Sequence, residues 1–128
     1  MLQVQFDLPH AERIQEKLQN RSAMVGKPLG SILNQGGLVF EREVRILTPV
    51  DSGRLIGSWT TKVDRAEVPK WSRMGTNVKY AQELEESKRK PRGVGAIPFF
   101  KPGIHRALPK VKQLVREAQE IIAKHWGD

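Results

Sequence analysis

Few side chains of this chain are of the kinds that carry out covalent or metal chemistry, and their spacing does not favour an enzyme. The three histidines, His10, His105 and His125, form no His-x-x-x-His pair, and no cysteine is present to complete a zinc site. The sequence also lacks a Gly-rich phosphate loop and a Gly-x-Ser-x-Gly nucleophile motif. We therefore predict no enzymatic activity, no catalytic residues, no bound metal and no cofactor.

One acidic arrangement faintly resembles a nuclease site. Asp64, together with Glu86 and Lys88, is similar to the acid plus Glu-x-Lys set with which some nucleases hold a metal ion that activates water. Those nucleases place the Glu-x-Lys pair on a buried strand. Here the pair ends a predicted helical turn and enters a basic loop, so this interpretation is a minor alternative.

The densest positive cluster lies in a loop predicted between Ser87 and Ile97. Its basic residues are Lys88, Arg89, Lys90 and Arg92. Such a loop can bind phosphate groups in a sequence-independent and salt-dependent way, or it can bind an acidic protein face. It can equally be a solvated loop, or one that becomes ordered only on assembly. These alternatives stay open at the level of sequence.

Five further residues are candidates for protein contacts: Arg54, Tyr80, Glu85, Phe99 and Phe100. Arg54 can pair bidentately with a carboxylate of a neighbouring subunit or of its own chain. Tyrosine is enriched at interfaces, although a core position is favoured for Tyr80. Because Phe99 and Phe100 are adjacent, they point in different directions in an extended chain, and we expect at least one in the core.

The elements that position these residues follow from hydrophobic spacing. Three helices are predicted, over residues 8–22 with Asp7 as cap, over 31–47 with Ser31 as cap, and over 101–126. Gly26, Pro28 and Gly30 are expected to separate the first two helices. The Gly36-Gly37 pair is expected to mark a kink or a place where another backbone packs closely.

The last helix gives the strongest periodic signal. Its predicted buried stripe is Ile104, Leu108, Val111, Val115, Ala118 and Ile122. Pro109 lies inside this pattern and is expected to split or kink the helix.

Strands are predicted between the second and third helices. Pro49, Asp51 and Gly53 form a turn, and alternating residues then predict a strand from Leu55 to Val63 with Trp59 in the core. A second strand over about 68–77 completes an antiparallel hairpin, and a short helical turn follows over 80–86. The predicted fold is α+β, with a small antiparallel sheet packed against N-terminal helices and a long C-terminal helix, in one domain over residues 1–128.

The composition restricts the partners that the chain can bind. The formal net charge is +8, which favours nucleic acid, a membrane surface or an acidic protein face. No run approaches the ~20 apolar residues of a membrane-spanning helix, and we expect no secretory signal. The alternative function that this charge favours is a basic, sequence-independent nucleic-acid-binding module, although no helix-turn-helix pattern, aromatic platform or zinc framework supports it.

Three segments, taken together, resemble the tail-completion, neck or head-tail joining family of long-tailed bacteriophages. They are Thr48-Pro49-Val50-Asp51-Ser52-Gly53-Arg54-Leu55, Gly75-Thr76-Asn77-Val78-Lys79-Tyr80-Ala81 and Ile97-Pro98-Phe99-Phe100-Lys101-Pro102. In that family a Pro-Val-Asp-(Thr/Ser)-Gly-Arg-Leu turn, a Thr-Asn-Val-x-Tyr-Ala segment and a Pro-Phe-(Leu/Phe)-x-Pro segment occur in this order. The resemblance covers about residues 40–108. Departures are Lys79 where a proline is frequent, Glu86 and Ser87 where an aromatic and a glycine are frequent, and Gly103 where an alanine is common.

The resemblance implies a non-enzymatic virion structural protein of a phage or prophage that acts during viral assembly. Its expected partners are other head-tail connector and tail proteins and further copies of the chain in an oligomeric ring. Non-specific contact with packaged DNA stays open, and no membrane partner is expected. The implied location is the host cytoplasm during assembly and then the neck or tail end of the virion.

Overall fold

The structure, a computed structural model, describes residues 2–9, 22–48, 55–78 and 99–124. In chain order the elements are β1 (Leu2–Asp7), α1 (Ser22–Leu47), a short 3-10 helix (Ile56–Ser58), β2 (Thr60–Val63), β3 (Trp71–Thr76) and α2 (Phe100–Lys124). The strands form one antiparallel sheet in the order β1-β3-β2, and both long helices pack with it. The predicted α+β class is confirmed.

Strand β1 was not predicted. Its residues alternate between half-buried Leu2, Val4 and Phe6 and exposed Gln3, Gln5 and Asp7. This two-residue period is typical of a strand with one face on the core. Asp7, predicted to cap a helix, ends the strand instead, and the N–H of Leu8 donates to the carbonyl of Lys70 at 2.7 Å. Most of the predicted first helix, residues 10–21, lies outside the described residues.

The predicted hairpin is confirmed, with shorter strands. Strand β2 pairs with β3 in antiparallel register from Thr60 opposite Gly75 to Val63 opposite Ser72. The first strand begins at Thr60 and not at Leu55, because the N–H and hydroxyl of Ser58 both donate to the Leu55 carbonyl and hold residues 55–58 in a tight turn.

Helix α1 is nine residues longer at its start than predicted, since it begins at Ser22 and not at Ser31. Gly26, Pro28 and Gly30 therefore lie inside the helix and do not interrupt it. A proline inside a helix costs ~3 kcal/mol. Val25, Leu29 and Leu33, all completely buried, offset that cost by removing three apolar side chains from water.

The Gly36-Gly37 pair is where the sheet packs on α1. A Cβ atom at Gly36 would overlap the ring of Phe6, and one at Gly37 would overlap the side chains of Thr61 and Ser72. The helix runs through the pair, and side chains of the sheet, not another backbone, occupy the space. The two glycines thus allow the helix to lie close on the sheet.

Helix α2 is one continuous helix from Phe100 to Lys124, so Pro109 does not split it. Pro109 lies on the exposed side, where water can satisfy the carbonyl oxygen that lacks a helical partner. The buried line consists of Gly103, Ala107, Val111, Leu114, Ala118 and Ile122. The predicted stripe was partly wrong, since Ile104, Leu108 and Val115 are only half-buried. Gly103 faces α1 instead, because the two helices approach closely there, and Ala107 is buried one turn further along.

The core has two clusters, and both long helices contribute to each. The first core cluster comprises Leu8, Val25, Leu29, Ile32, Leu33, Val68, Leu114, Ala118 and Ile122. The buried residues of the second core cluster are Phe40, Val44, Leu55, Trp59, Met74, Phe99, Ala107 and Val111. Among the helices described, none is long and apolar enough to cross a membrane.

Candidate functional site

The described parts of the three motif segments meet in the second core cluster. Leu55 ends the first segment, Val78 belongs to the second, and Phe99 and Phe100 belong to the third, and all four pack in this cluster. We call this region the motif junction and define it by Thr48, Leu55, Ser58, Trp59, Thr76, Val78, Phe99 and Phe100. Segments that are some twenty residues apart in the sequence are therefore parts of one packed unit.

Trp59 is the centre of the motif junction. Its ring meets Phe99 edge-on, with centroids 6.1 Å apart, and stacks on Phe100 at 5.8 Å with 14° between the planes. Its indole N–H donates to the Thr48 hydroxyl at 3.1 Å, and that hydroxyl donates to the Val44 carbonyl at 2.7 Å. Thr48 thus joins the end of α1 to the indole, and both side chains are buried.

The aromatic residues of the motif junction differ in burial. Trp59 is 2% exposed, as predicted for a core residue. Phe99 is completely buried, which confirms that at least one of the adjacent phenylalanines enters the core, so it is not an accessible contact residue. Phe100 is half-buried and lies on Trp59.

A pair of hydroxyl groups links the 3-10 helix that follows the first segment to the second segment. The Ser58 and Thr76 hydroxyl oxygens are 2.6 Å apart, and Ser58 also donates to the Leu55 carbonyl. Thr76, which is 2% exposed, accepts a hydrogen bond from the Val78 N–H at 3.2 Å. These residues were not identified from the sequence. Thr76 lies within the second segment and Ser58 three residues after the first, but only the fold brings them together.

Most other candidates lie outside the described residues. These are Arg54, Tyr80 and Glu85, the turn residues Pro49, Asp51 and Gly53, and the basic-loop residues Lys88, Arg89, Lys90 and Arg92. The same holds for Glu86 of the nuclease-like set.

Asp64, the remaining residue of the nuclease-like set, is part of a turn. Its carboxylate accepts hydrogen bonds from the N–H groups of Ala66 and Lys70, at 3.1 and 3.0 Å. Over the described ranges, no group of three histidine, cysteine or acidic residues is placed to hold a metal ion.

The outer face of the sheet, opposite α1, carries mostly polar side chains, which the sequence did not identify as one surface. They are Gln3, Gln5, Asp7, Thr60, Lys62, Trp71 and Arg73, with Gly75 among them. The alternation within Leu2–Asp7 was the signal that could have revealed β1. The position of Lys62 beside Arg73 depends on the register, which no local pattern encodes.

An apolar groove lies between β1 and the start of α2. It has a volume of about 220 Å³ and is lined by Val4, Phe100, Ile104 and Leu108, with Gln3, Lys101 and His105 at its margin. Two apolar side chains of α1, Leu38 and Ile46, are exposed elsewhere. Single exposed apolar residues are normal on a folded protein, so they define no surface by themselves.

Comparisons of the chain with protein-family models, with curated proteins and with solved structures found no match. The structure describes a small, basic α+β protein with a tightly packed motif junction and a mostly polar outer sheet face.

Proposed function

We propose that this chain is a non-enzymatic structural protein of a tailed bacteriophage or prophage that acts in head-tail joining or tail completion. The observation that carries the proposal is the occurrence of three motif segments in the order typical of that family, with their described parts meeting in one cluster. Each segment alone is a common sequence for a turn or for the start of a helix, so by itself it indicates no family. Their combination is more specific, because a shared packed unit explains why the three would occur together.

The motif junction suggests how such a protein could act. Thr48 and Leu55 flank the segment that contains Arg54, and Val78 and Phe99 flank the segment that contains Tyr80, Glu85 and the basic loop. These four flanking residues are fixed by packing or hydrogen bonds. Contact residues are often presented from segments that begin and end on a rigid scaffold. The two segments that carry the candidate contacts would thus begin and end at residues that the scaffold fixes.

A gene deletion tests the proposal. We expect cells that lack the gene to accumulate full heads and separate tails, and cryo-electron microscopy of the particles should show this. Density for a ring at the neck or tail end of particles that contain the protein would support the ring-forming contacts. Normal, infectious particles without the gene would contradict the structural role.

Complementation with single variants makes the test sharper. If Arg54 pairs bidentately with a neighbour's carboxylate, Arg54→Lys should fail nearly as badly as Arg54→Ala, because lysine cannot reproduce the two-pronged geometry. Arg116→Ala removes the same charge from an exposed position of α2 and is the matched control. Full activity of Arg54→Lys would rule out the bidentate contact. It would not affect the joining role, which the gene deletion tests separately.

A further inference from the structure

Two cationic side chains, Lys62 and Arg73, are neighbours on the outer face of the sheet. Lys62 on β2 lies directly opposite Arg73 on β3 in the antiparallel register. Like charges in this position destabilise a sheet. Among the described residues, the salt bridges join Arg45 to Glu41 and Arg106 to Glu43, so neither Lys62 nor Arg73 is paired with a described carboxylate. The arrangement costs stability and attracts an anion.

The Arg73 guanidinium is held in place without being neutralised. Its Nε and Nη2 atoms donate to the Gln5 Oε1 atom at 3.0 and 2.7 Å, and its Cζ atom lies 4.8 Å from the centroid of the Trp71 ring. The Gln5 amide N–H donates to Asp7 at 3.0 Å, which turns the Gln5 oxygen towards the arginine. Both direct partners of the guanidinium are uncharged, so a preoriented positive charge remains on the surface.

A depression lies next to the two cations. Its volume is about 140 Å³ and its lining consists of Gln3, Thr60, Lys62, Arg73, Gly75, Thr76 and Asn77. Gly75 lies across from Gln3 and Thr60 in the sheet. A Cβ atom there would lie 2.5 Å from the Leu2 carbonyl oxygen, so β1 packs closely against this glycine. The lining offers the ammonium of Lys62, the guanidinium of Arg73 and the amides of Gln3 and Asn77, and it contains no carboxylate and no apolar side chain.

We propose that this depression binds a phosphate group of a nucleic-acid backbone. A tetrahedral oxyanion can accept hydrogen bonds from several sides, and arginine and lysine are the usual phosphate donors in proteins. A nucleic-acid strand is favoured over a protein partner because a protein interface needs an apolar centre, and this lining has none. The site is open on a sheet face, so a polymer can pass across it, and the net charge of +8 adds general attraction.

Such a contact is sequence-independent, since it reads the phosphate and not the bases. The expected dissociation constant is in the range of about 10⁻⁴ to 10⁻⁶ M near physiological salt, and it should rise steeply with salt concentration. The inference rests on the sheet face alone and stands whether or not the chain joins heads to tails.

Fluorescence anisotropy with a labelled thymidine 20-mer and a 20-base-pair duplex tests the site on the full chain. We expect Lys62→Glu to weaken binding about tenfold and to lower the salt slope by about 0.7 for the single strand, which corresponds to one lost phosphate contact. Lys112→Glu reverses one charge at an exposed position of α2 and should weaken binding only slightly. Equal losses in the two variants would overturn the proposal.

A stability measurement separates lost binding from lost folding. Lys62→Glu places a carboxylate opposite Arg73, so its urea midpoint should be equal to or higher than that of the unmodified chain while DNA binding falls. Arg73→Gln is the second variant and should weaken binding as well. If both variants retain the midpoint and bind DNA as tightly as the unmodified chain, the depression is not the site.

Two competitors identify the source of the anion. Inorganic phosphate at matched ionic strength should displace DNA only weakly, because a single ion lacks the other contacts of a strand. A poly-glutamate peptide should also bind more weakly than DNA. If inorganic phosphate alone binds as tightly as DNA, or if the peptide binds more tightly with the same dependence on Lys62, the nucleic-acid proposal is wrong.

Discussion

At the scale of single residues, two buried hydroxyl groups have opposite roles. The Thr48 hydroxyl accepts from the Trp59 indole and donates to the Val44 carbonyl, so it satisfies one buried donor and one carbonyl at the end of α1. The Ser72 hydroxyl is also buried but has no hydrogen-bond partner among the described residues. A buried polar group contributes to stability only when it is paired, so the two sites should respond differently to its removal.

We expect Thr48→Val to lower the free energy of unfolding by about 1–3 kcal/mol, because the Trp59 N–H would be left buried without an acceptor. Thr48→Ser keeps the hydroxyl and should lose less. Ser72→Ala removes a hydroxyl of similar burial and should be nearly neutral. Urea denaturation of the three variants measures these differences. A loss in Ser72→Ala as large as that in Thr48→Val would show that the hydrogen bonds are not the cause.

At the scale of elements, the close approach of the two long helices depends on Gly103. A Cβ atom there would lie 2.7 Å from the Val44 Cα atom, which belongs to the backbone of α1 and cannot move aside cheaply. This contact gives a physical reason for a glycine, and not an alanine, at this position of α2. It also explains why the buried line of α2 runs through small residues and not through Ile104 and Leu108.

We therefore expect Gly103→Ala to destabilise the protein, although alanine is intrinsically the better helix former by about 1 kcal/mol. Overpacking against a backbone costs about 1–3 kcal/mol and should outweigh that gain. The control is Gly57→Ala, where a Cβ atom would meet nothing within 4 Å. Thermal unfolding followed by circular dichroism should show a lower midpoint for Gly103→Ala only. An unchanged midpoint would mean that the helices can separate at little cost.

At the scale of the whole molecule, the two core clusters are connected by the helices. Residues of α1 and α2 occur in both the first and the second core cluster. Truncation of a side chain in one cluster should therefore destabilise both helices, and with them the packing of the other cluster. This arrangement predicts cooperative unfolding of the described elements.

We expect Leu29→Ala, in the first core cluster, to cost about 2–5 kcal/mol and to shift the unfolding of the second cluster equally. Trp59 lies in the second cluster, and its fluorescence reports on it when Trp71 and Trp126 are replaced by phenylalanine. The urea midpoint from Trp59 fluorescence should fall together with the midpoint from far-ultraviolet circular dichroism. A fluorescence midpoint that stays in place while the other falls would indicate two independent units.

Local sequence patterns predicted several elements because their physical cause is local. The last helix follows from a 3.6-residue period in its apolar residues. The hairpin and the burial of Trp59 follow from alternation between turn residues. Strand β1 had the same alternation in Leu2–Asp7. However, Asp7 followed closely by Pro9 also suits the start of a helix, and only the pairing of β1 with β3 shows that these residues form a strand.

The sequence by itself determined the α+β class, the long C-terminal helix, the hairpin and the positive net charge, because periodicity and composition are local or additive properties. Only the tertiary structure decided that α1 continues through Pro28, that α2 turns Gly103 towards Val44, and that Lys62 stands opposite Arg73. Each of these depends on burial or register between residues far apart in the chain. The energy of such a contact depends on both residues, and the sequence around one of them does not show which residue the other is.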